Sequence, residues 1–166
     1  MAAERSDRSR FLAASSAIEL ARPLRDAFNA VALTAPLDRS LKLKKKHMEQ
    51  ALQAYGRAAD YGVAQVTTAA TFETADLYYQ LSRDLLASER PQDLAADESE
   101  QYDVLLEEQA FPFEEKAIDL YRVNAERVGD GIYDEWVRAS YARLAVMVPA
   151  RWSRTERSED VITTID

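Results

Sequence analysis

Cysteine is absent from this chain of 166 residues, and histidine occurs once, as His47. Without cysteine the chain can form no disulfide, offers no thiolate nucleophile and holds no cysteine-based zinc site. A single histidine also excludes a histidine-rich metal cluster within one chain. We therefore predict that the protein uses no metal and no cofactor.

Glycine and proline are scarce as well, at four and five residues. The chain is rich instead in alanine, leucine, glutamate and arginine, which are good helix formers. β-Branched residues are few, and no segment alternates apolar and polar residues over the length of a strand. The sequence predicts an all-α fold.

Long apolar runs are missing too, and none approaches the roughly 20 residues that a membrane-spanning helix needs. The run from Phe11 to Ile18 is short and Glu19 follows it at once, which argues against a signal peptide. Hydrophobic residues still make up 47% of the chain, enough for a real core. We expect one globular domain over residues 16–152, between a flexible segment 1–15 and a flexible tail 153–166.

The charges are unbalanced and segregated. The chain has 29 acidic and 21 basic residues, and its net charge of −8 argues against nucleic acid as the main partner. Residues 89–135 hold 15 acidic and 4 basic side chains, whereas Lys42–Lys46 is the densest basic run. Three interpretations of that run stay open: attraction to the acidic part within or between chains, a membrane or nucleic-acid patch, and lysines that simply face solvent.

Apolar residues at helical spacing predict a first helix with Ser16 as its N-cap, and Pro23 marks a kink or a start within it. After a break at 34–37, with Asp38 or Ser40 as the next cap, the patterns predict two antiparallel hairpins. The first hairpin joins helices 41–59 and 63–88. The second joins helices 98–128 and 133–148. The helix over 63–88 carries two apolar stripes, which is typical of a central helix.

Proline 112 lies in the middle of the segment 98–128, where two interpretations compete. Proline followed by Glu114 and Glu115 is a good start signal for a new helix. However, Leu106, Ala110 and residues beyond Pro112 keep one apolar phase across the proline. We therefore favour one long helix, kinked at Pro112.

Stacked hairpins are also the unit of helical repeat proteins. With Pro149 placed at the terminal proline of the 34-residue tetratricopeptide template, Tyr121, Ala125 and Tyr141 fall on aromatic, small and aromatic positions. The match is degenerate, and the first hairpin does not follow the template.

Several segments resemble one family. They are Tyr61–Phe72, Leu86–Pro91, Leu105–Ile118, Tyr133–Val137 and Pro149–Trp152. The family is the C-terminal region of large bacterial tetratricopeptide-repeat proteins, some labelled as components of TonB systems, with relatives in gliding-motility machinery. The resemblance covers about Ala17 to Glu156 and is most specific around Pro112. Trp152 departs from it, because tyrosine is expected there.

The resemblance implies a scaffold that binds other proteins, located in the periplasm or at the cell envelope. A cytoplasmic location is the alternative. The resemblance is also compatible with this chain being a piece of a longer protein that carries repeats and an export signal upstream. The identity of the protein partners is open, and a homo-oligomer is one possibility.

Candidate protein-binding residues follow from these patterns. Aromatic and arginine side chains are frequent interface anchors. Lysine at a helix start is not favoured by the helix dipole, which keeps a binding role open for the basic run. The candidates are Phe111, Pro112, Glu114, Glu115, Arg151, Trp152, Lys44 and Lys45. Of the two phenylalanines beside Pro112, Phe111 and Phe113, we expect one to pack inside and the other to meet a neighbour. We assign Trp136 to the core.

Catalysis has weaker support. The pairs Glu107–Glu108 and Glu114–Glu115 could hold a metal in a helical bundle, but such sites need a Glu-x-x-His pair on each of two helices. The other interpretation is a solvated acidic helix face. We predict a non-enzymatic interaction scaffold. The alternatives are a structural domain that caps an upstream repeat array and, less favoured, a carboxylate-site enzyme.

Overall fold

The computed structural model describes residues 6–153, and in that range the backbone is helical with short connections and no strand. The five long helices are α1 (Asp7–Asn29), α2 (Leu37–Ala59), α3 (Ala64–Leu86), α4 (Ala96–Glu126) and α5 (Glu135–Met147). One 3₁₀ turn, Arg127–Asp130, follows α4, and the short helix α6 (Pro149–Trp152) follows α5. The predicted all-α class is confirmed over the described residues.

Consecutive helices run antiparallel. Lys44, near the start of α2, reaches the carbonyl of Phe28 at the end of α1. Asn124, near the end of α4, likewise reaches the carbonyl of Thr68 near the start of α3. As a result α1, α3 and α5 share one direction, and α2 and α4 take the other.

Helix α3 is central, as its two apolar stripes predict, and it packs against α1, α2, α4 and α5. Helix α2 lies between α1 and α3, and α4 lies between α3 and α5. The most extensive interfaces are α3–α4 and α1–α2. The predicted hairpin partners, α2–α3 and α4–α5, do touch, but over smaller areas. Buried alanines such as Ala75 on α3 and Ala117 on α4 explain this, because short side chains let two helices approach closely.

Two apolar clusters form the core, one on each side of α3. The first lies between α1, α2 and α3 and includes Phe28, Tyr55 and Leu81. The second lies between α3, α4 and α5 and includes Tyr121 and Leu144. Tyr78 packs against both clusters and joins them.

Helix α1 starts well before the predicted cap. Ser6 is its N-cap, and the Ser6 hydroxyl accepts from the backbone N–H of Ser9 at 3.3 Å. The prediction of an N-cap at Ser16 is therefore wrong, and residues 7–15 of the predicted flexible segment belong to the helix. Ala14 explains the extension, since it is fully buried and packs in a small cluster with α2 and α3. The helix also continues through Pro23, which is not a start.

Helix α2 begins at Leu37, directly after Pro36. The predicted caps, Asp38 and Ser40, both lie inside its first turns, so that prediction is wrong. The Ser40 hydroxyl donates instead to the carbonyl of Thr34 at 2.9 Å, which ties the connection to the helix.

Helix α4 runs without interruption through Pro112, which confirms the prediction of one long helix. Pro112 is exposed, so water can reach the carbonyl that the missing proline N–H leaves free. The helix ends through the 3₁₀ turn at Gly131, whose φ of 78° lies in the left-handed region that glycine adopts without strain. The predicted flexible tail, apart from Ser153, and residues 1–5 lie outside the described range.

Candidate functional site

Lys44, one of the predicted binding residues, is buried, with only 1% of its surface exposed. Its ammonium donates to the carbonyl oxygens of Phe28 at 2.9 Å and Val31 at 2.8 Å, and it lies 2.7 Å from the Asp84 carboxylate. A buried ammonium with three oxygen partners has no free face for another protein. Lys44 therefore does not lie on a surface that a partner could contact. Its contacts join α2 to α1 and α3.

Lys45, its neighbour, is exposed and lies against α4 on the Phe113 side. The Lys45 ammonium lies 5.3 Å from the centre of the Phe113 ring, a cation–π distance. Phe113 in turn stacks on Tyr78, with ring centres 6.5 Å apart. We call Phe111, Pro112 and Glu115, on the other side of this part of α4, the Pro112 surface.

Of the two phenylalanines beside Pro112, one packs inside as predicted; that the other meets a neighbour stays a prediction. Phe113 packs against the first core cluster, whereas Phe111 is 56% exposed and points away from the core. Glu114 is half-buried and Glu115 is exposed. The middle of α4 therefore presents a large apolar ring beside a carboxylate.

Arg151 and Trp152, also predicted as binding residues, lie on α6. Trp152 is half-buried and packs edge-on against Tyr141, with ring centres 5.6 Å apart. The Arg151 guanidinium lies 5.6 Å from the Trp152 ring centre and is exposed. The tryptophan thus closes the second core cluster, and the arginine remains open to solvent.

A cleft that the sequence patterns do not indicate opens between α1 and the first turn of α5, with α3 beneath it. Its volume is about 240 Å³. Phe11 and Ile18 of α1 and Trp136 of α5 supply apolar walls, and Glu73 of α3 supplies a carboxylate. Trp136 was expected in the core, but it is half-buried: its ring packs 5.4 Å from that of Phe72 and also lines the cleft.

The Tyr55 side chain passes from α2 through the first core cluster and borders this cleft. The residue is 1% exposed, and its hydroxyl has no hydrogen-bond partner among the described residues. Burial raises the pKa of Tyr55 well above its usual value, and the nearby Glu73 carboxylate raises it further. An unpaired buried hydroxyl costs about 1–3 kcal/mol, so a polar group placed beside it is stabilised.

Glu73 is held in a fixed position beside Tyr55. One guanidinium nitrogen of Arg25 lies 2.9 Å from each carboxylate oxygen of Glu73. The Glu73 side chain is only 12% exposed, so this ion pair is shielded from water far more than an ordinary surface pair. The pair joins α1 to α3 and leaves the carboxylate at the floor of the cleft.

The first turn of α5, which carries Trp136, is fixed by a polar network. The Asp134 carboxylate caps the helix by accepting from the backbone N–H groups of Trp136 and Val137, both at 3.0 Å. The same carboxylate accepts a hydrogen bond from the Thr68 hydroxyl of α3.

Asn124 of α4 lies at the centre of this network. Its amide NH2 group donates to the Thr68 carbonyl at 3.1 Å and the Ser140 hydroxyl at 3.0 Å, and the same nitrogen lies 3.4 Å from the Trp136 carbonyl. Since Asn124 is fully buried, these bonds hold α3, α4 and α5 in one arrangement. The wall of the cleft is therefore rigidly supported.

The sequence held one signal for this cleft. Tyr55 lies in the apolar stripe of α2, so its periodicity predicts only a core residue. Glu73, by contrast, is an acid in the middle of a helix with two apolar stripes, and a charge in such a place needs a partner. The partner, Arg25, is 48 residues away in the sequence, which periodicity alone cannot reveal.

Within residues 6–153, no group of three or more histidine or acidic side chains is arranged to hold a metal ion. No helix in the same range combines the length and the apolar character needed to cross a membrane. The chain matches no protein-family model, no curated protein and no solved structure.

Proposed function

We propose that this chain is a non-enzymatic protein–protein interaction domain, a scaffold of helical hairpins from the C-terminal part of a tetratricopeptide-repeat protein in a bacterial envelope complex. The envelope context comes from the resemblance of the segments around Pro112 and Pro149. The interaction role has structural support of its own.

The order of the helices is the observation that carries the proposal. Helices α1, α3 and α5 lie side by side in one direction, with α2 and α4 packed between them on the other side of the bundle. Stacked hairpins that contact mainly their neighbours give repeat proteins an extended binding surface. Here the cleft between α1 and α5 lies on the side formed by the three parallel helices.

The Pro112 surface adds a second reason. Near it on α4, Val104 and Leu105 are each 53% exposed, and Phe111 is 56% exposed. Large apolar side chains that lie open beside acids such as Glu108 and Glu115 are typical of interface anchors with a polar surround.

Photo-crosslinking in bacterial cells tests the proposal. A photoreactive phenylalanine analogue replaces Phe111 in one variant and exposed Arg138 of α5 in a control variant. We expect Phe111 to yield a discrete crosslinked species containing a second protein and Arg138 to yield none. Charge reversal by Glu115→Lys, one helical turn from Phe111, should lower the Phe111 yield. The absence of any crosslink from Phe111 and from a third probe at Phe11, beside the cleft, would contradict an interaction scaffold.

A structural cap for an upstream repeat array is the second candidate. A terminal repeat needs a polar outer face, and the exposed acids Glu107, Glu108 and Glu115 give α4 such a face. A cap predicts crosslinks from Phe111 only to repeats of the same polypeptide, whereas a scaffold predicts a different protein.

A further inference from the structure

We propose that the cleft between α1 and α5 binds an arginine side chain presented by the partner protein. The inference rests on the proposed interaction function and names the group that this site recognises. It is carried by the charge of the cleft walls, by the unpaired Tyr55 hydroxyl and by the aromatic residues that line the cleft.

Charge is the first argument. The side chains that line the cleft include three carboxylates, Glu19, Glu73 and Glu135, and one guanidinium, Arg22. Arg22 lies 2.9 Å from Glu19, so these two largely cancel. Arg25 likewise neutralises most of the Glu73 charge, so Glu135 leaves the cleft with a net charge of −1, which favours a cation. The Glu73 oxygens can still accept from a further N–H donor, in a position largely shielded from water, where charge interactions are stronger.

The Tyr55 hydroxyl is an independent argument. It is buried, borders the cleft and has no hydrogen-bond partner among residues 6–153. A hydroxyl oxygen can accept a hydrogen bond from an incoming N–H group. A guanidinium carries five N–H donors in a planar fork, so one group can serve Glu73 and Tyr55 together, which a compact ammonium does less well.

The volume of the cleft and its aromatic lining narrow the choice of ligand further. Sites for drug-sized ligands and cofactors have volumes of roughly 300–1,000 Å³. The cleft, at about 240 Å³, is smaller and suits a single side chain. Trp136 and Phe11 are among the residues that line it, and arginine packs readily against aromatic rings.

The test uses Trp136 as a reporter. The chain contains two tryptophans, so Trp152→Phe leaves Trp136 as the only one. In this background the full chain is titrated with N-acetyl-arginine amide, with N-acetyl-lysine amide and with N-acetyl-citrulline amide, a neutral molecule of nearly the same shape as the arginine probe. We expect saturable quenching by the arginine probe, weaker binding of the lysine probe and no response to citrulline.

Two variants connect the response to the cleft. Tyr55→Phe removes only the unpaired hydroxyl, and Glu135→Gln removes an exposed charge at the rim. Each should weaken the binding of the arginine probe by roughly five-fold, the worth of about one hydrogen bond or charge contact. Glu115→Gln, the same charge change on the Pro112 surface, should leave binding unchanged. Circular dichroism verifies that each variant is folded. If Tyr55→Phe does not fold, Glu135→Gln alone provides the test.

Equal quenching by arginine and citrulline, no quenching at all, or equal binding by wild type and Glu135→Gln would each overturn the proposal. The titration needs no natural partner. If it fails while Phe111 still crosslinks to another protein, only the arginine assignment is lost. If the probe binds while no crosslink forms from Phe111 or Phe11, the interaction scaffold is what fails.

Discussion

Lys44 contacts Phe28 in two ways: its ammonium donates to the Phe28 carbonyl at 2.9 Å and lies 4.2 Å from the centre of the Phe28 ring. The carbonyl lies in the last turn of α1, where it also accepts from the backbone N–H of Val31 at 3.2 Å. A cation at this end also interacts favourably with the helix dipole. The single side chain of Lys44 therefore ends α1 and, through Asp84, fixes it to α3.

The first prediction concerns this lysine. Lys44→Met keeps most of the apolar stem but removes the ammonium from the carbonyls of Phe28 and Val31 and from the Asp84 carboxylate. We expect the free energy of unfolding to fall by about 2–4 kcal/mol in urea denaturation. Lys46→Met, two positions along the same helix and exposed, should change it by less than about 0.5 kcal/mol. Similar losses in both variants would contradict a structural role specific to Lys44.

The basic run illustrates what sequence patterns can and cannot reveal. Lys44, Lys45 and Lys46 are identical residues in consecutive positions, and composition alone treats them alike. In a helix, residues three or four positions apart lie on the same face. Lys44 lies four residues before buried Met48 and therefore shares its face. The phase could have indicated that Lys44 is buried. Its oxygen partners come from distant parts of the chain and could not be predicted.

The second prediction concerns high pH and two buried tyrosines. Burial raises the pKa of both Tyr55 and Tyr121 above the ordinary value of 10.0, with Glu73 adding to the effect at Tyr55 and Asp76 at Tyr121. Above pH 10 the unfolded chain releases these protons while the folded chain keeps them. The free energy of unfolding should therefore fall as pH rises, by up to about 1.4 kcal/mol per pH unit for each tyrosine.

Urea denaturation between about pH 9 and pH 11.5 measures this dependence. Tyr55→Phe removes one titrating group, so its stability should decline less steeply than that of the wild type. Tyr55→Phe combined with Tyr121→Phe should decline least. Parallel curves for the three proteins would show that the tyrosines do not govern alkaline unfolding.

The third prediction concerns Asn124, the centre of the polar network under α5. Asn124→Ala removes the hydrogen bonds to the Thr68 carbonyl and the Ser140 hydroxyl and leaves these buried groups short of a partner. We expect a loss of about 2–3 kcal/mol in the free energy of unfolding. Asn124→Ala should speed hydrogen exchange in α5 more than in α2, because α5 loses a hydrogen bond to α4 and α2 makes none with Asn124. Asn29→Ala, at an exposed position, is the matched control.

Some elements could be predicted well from the sequence and others could not. The apolar phase of Leu106, Ala110 and Ala117 correctly predicted one helix through Pro112, because the same face of the helix stays buried throughout. Helix starts were predicted poorly. Several residues can act as a cap by their chemistry, and the choice of Ser6 over Ser16 depends on the burial of Ala14 between helices.

The cleft was beyond such reasoning for a related physical reason. Its parts come from α1, α2, α3 and α5, and periodicity reports which face of a helix is buried but not which helices meet. Tyr55 and Trp136 have the pattern of core residues, and both do pack in the interior. The Tyr55 hydroxyl is unpaired among the described residues and Trp136 lines the cleft, and both features depend on tertiary packing.

The last prediction concerns Pro112, which lies in the interior of a 31-residue helix and lacks the N–H that would bond to the Glu108 carbonyl. Pro112→Ala restores that bond and removes the clash of the proline ring, so the free energy of unfolding should rise by about 1–3 kcal/mol. Pro23→Ala is the matched control, since Pro23 is also exposed inside a long helix and should stabilise similarly. The kink that the sequence predicts at Pro112 would set the direction of Phe111. If it is present, Pro112→Ala should straighten α4 and lower the crosslinking yield from Phe111, whereas Pro23→Ala should leave the yield unchanged. If Pro112→Ala is folded and more stable but crosslinks as well as the wild type, the proline shapes the helix without shaping the binding surface.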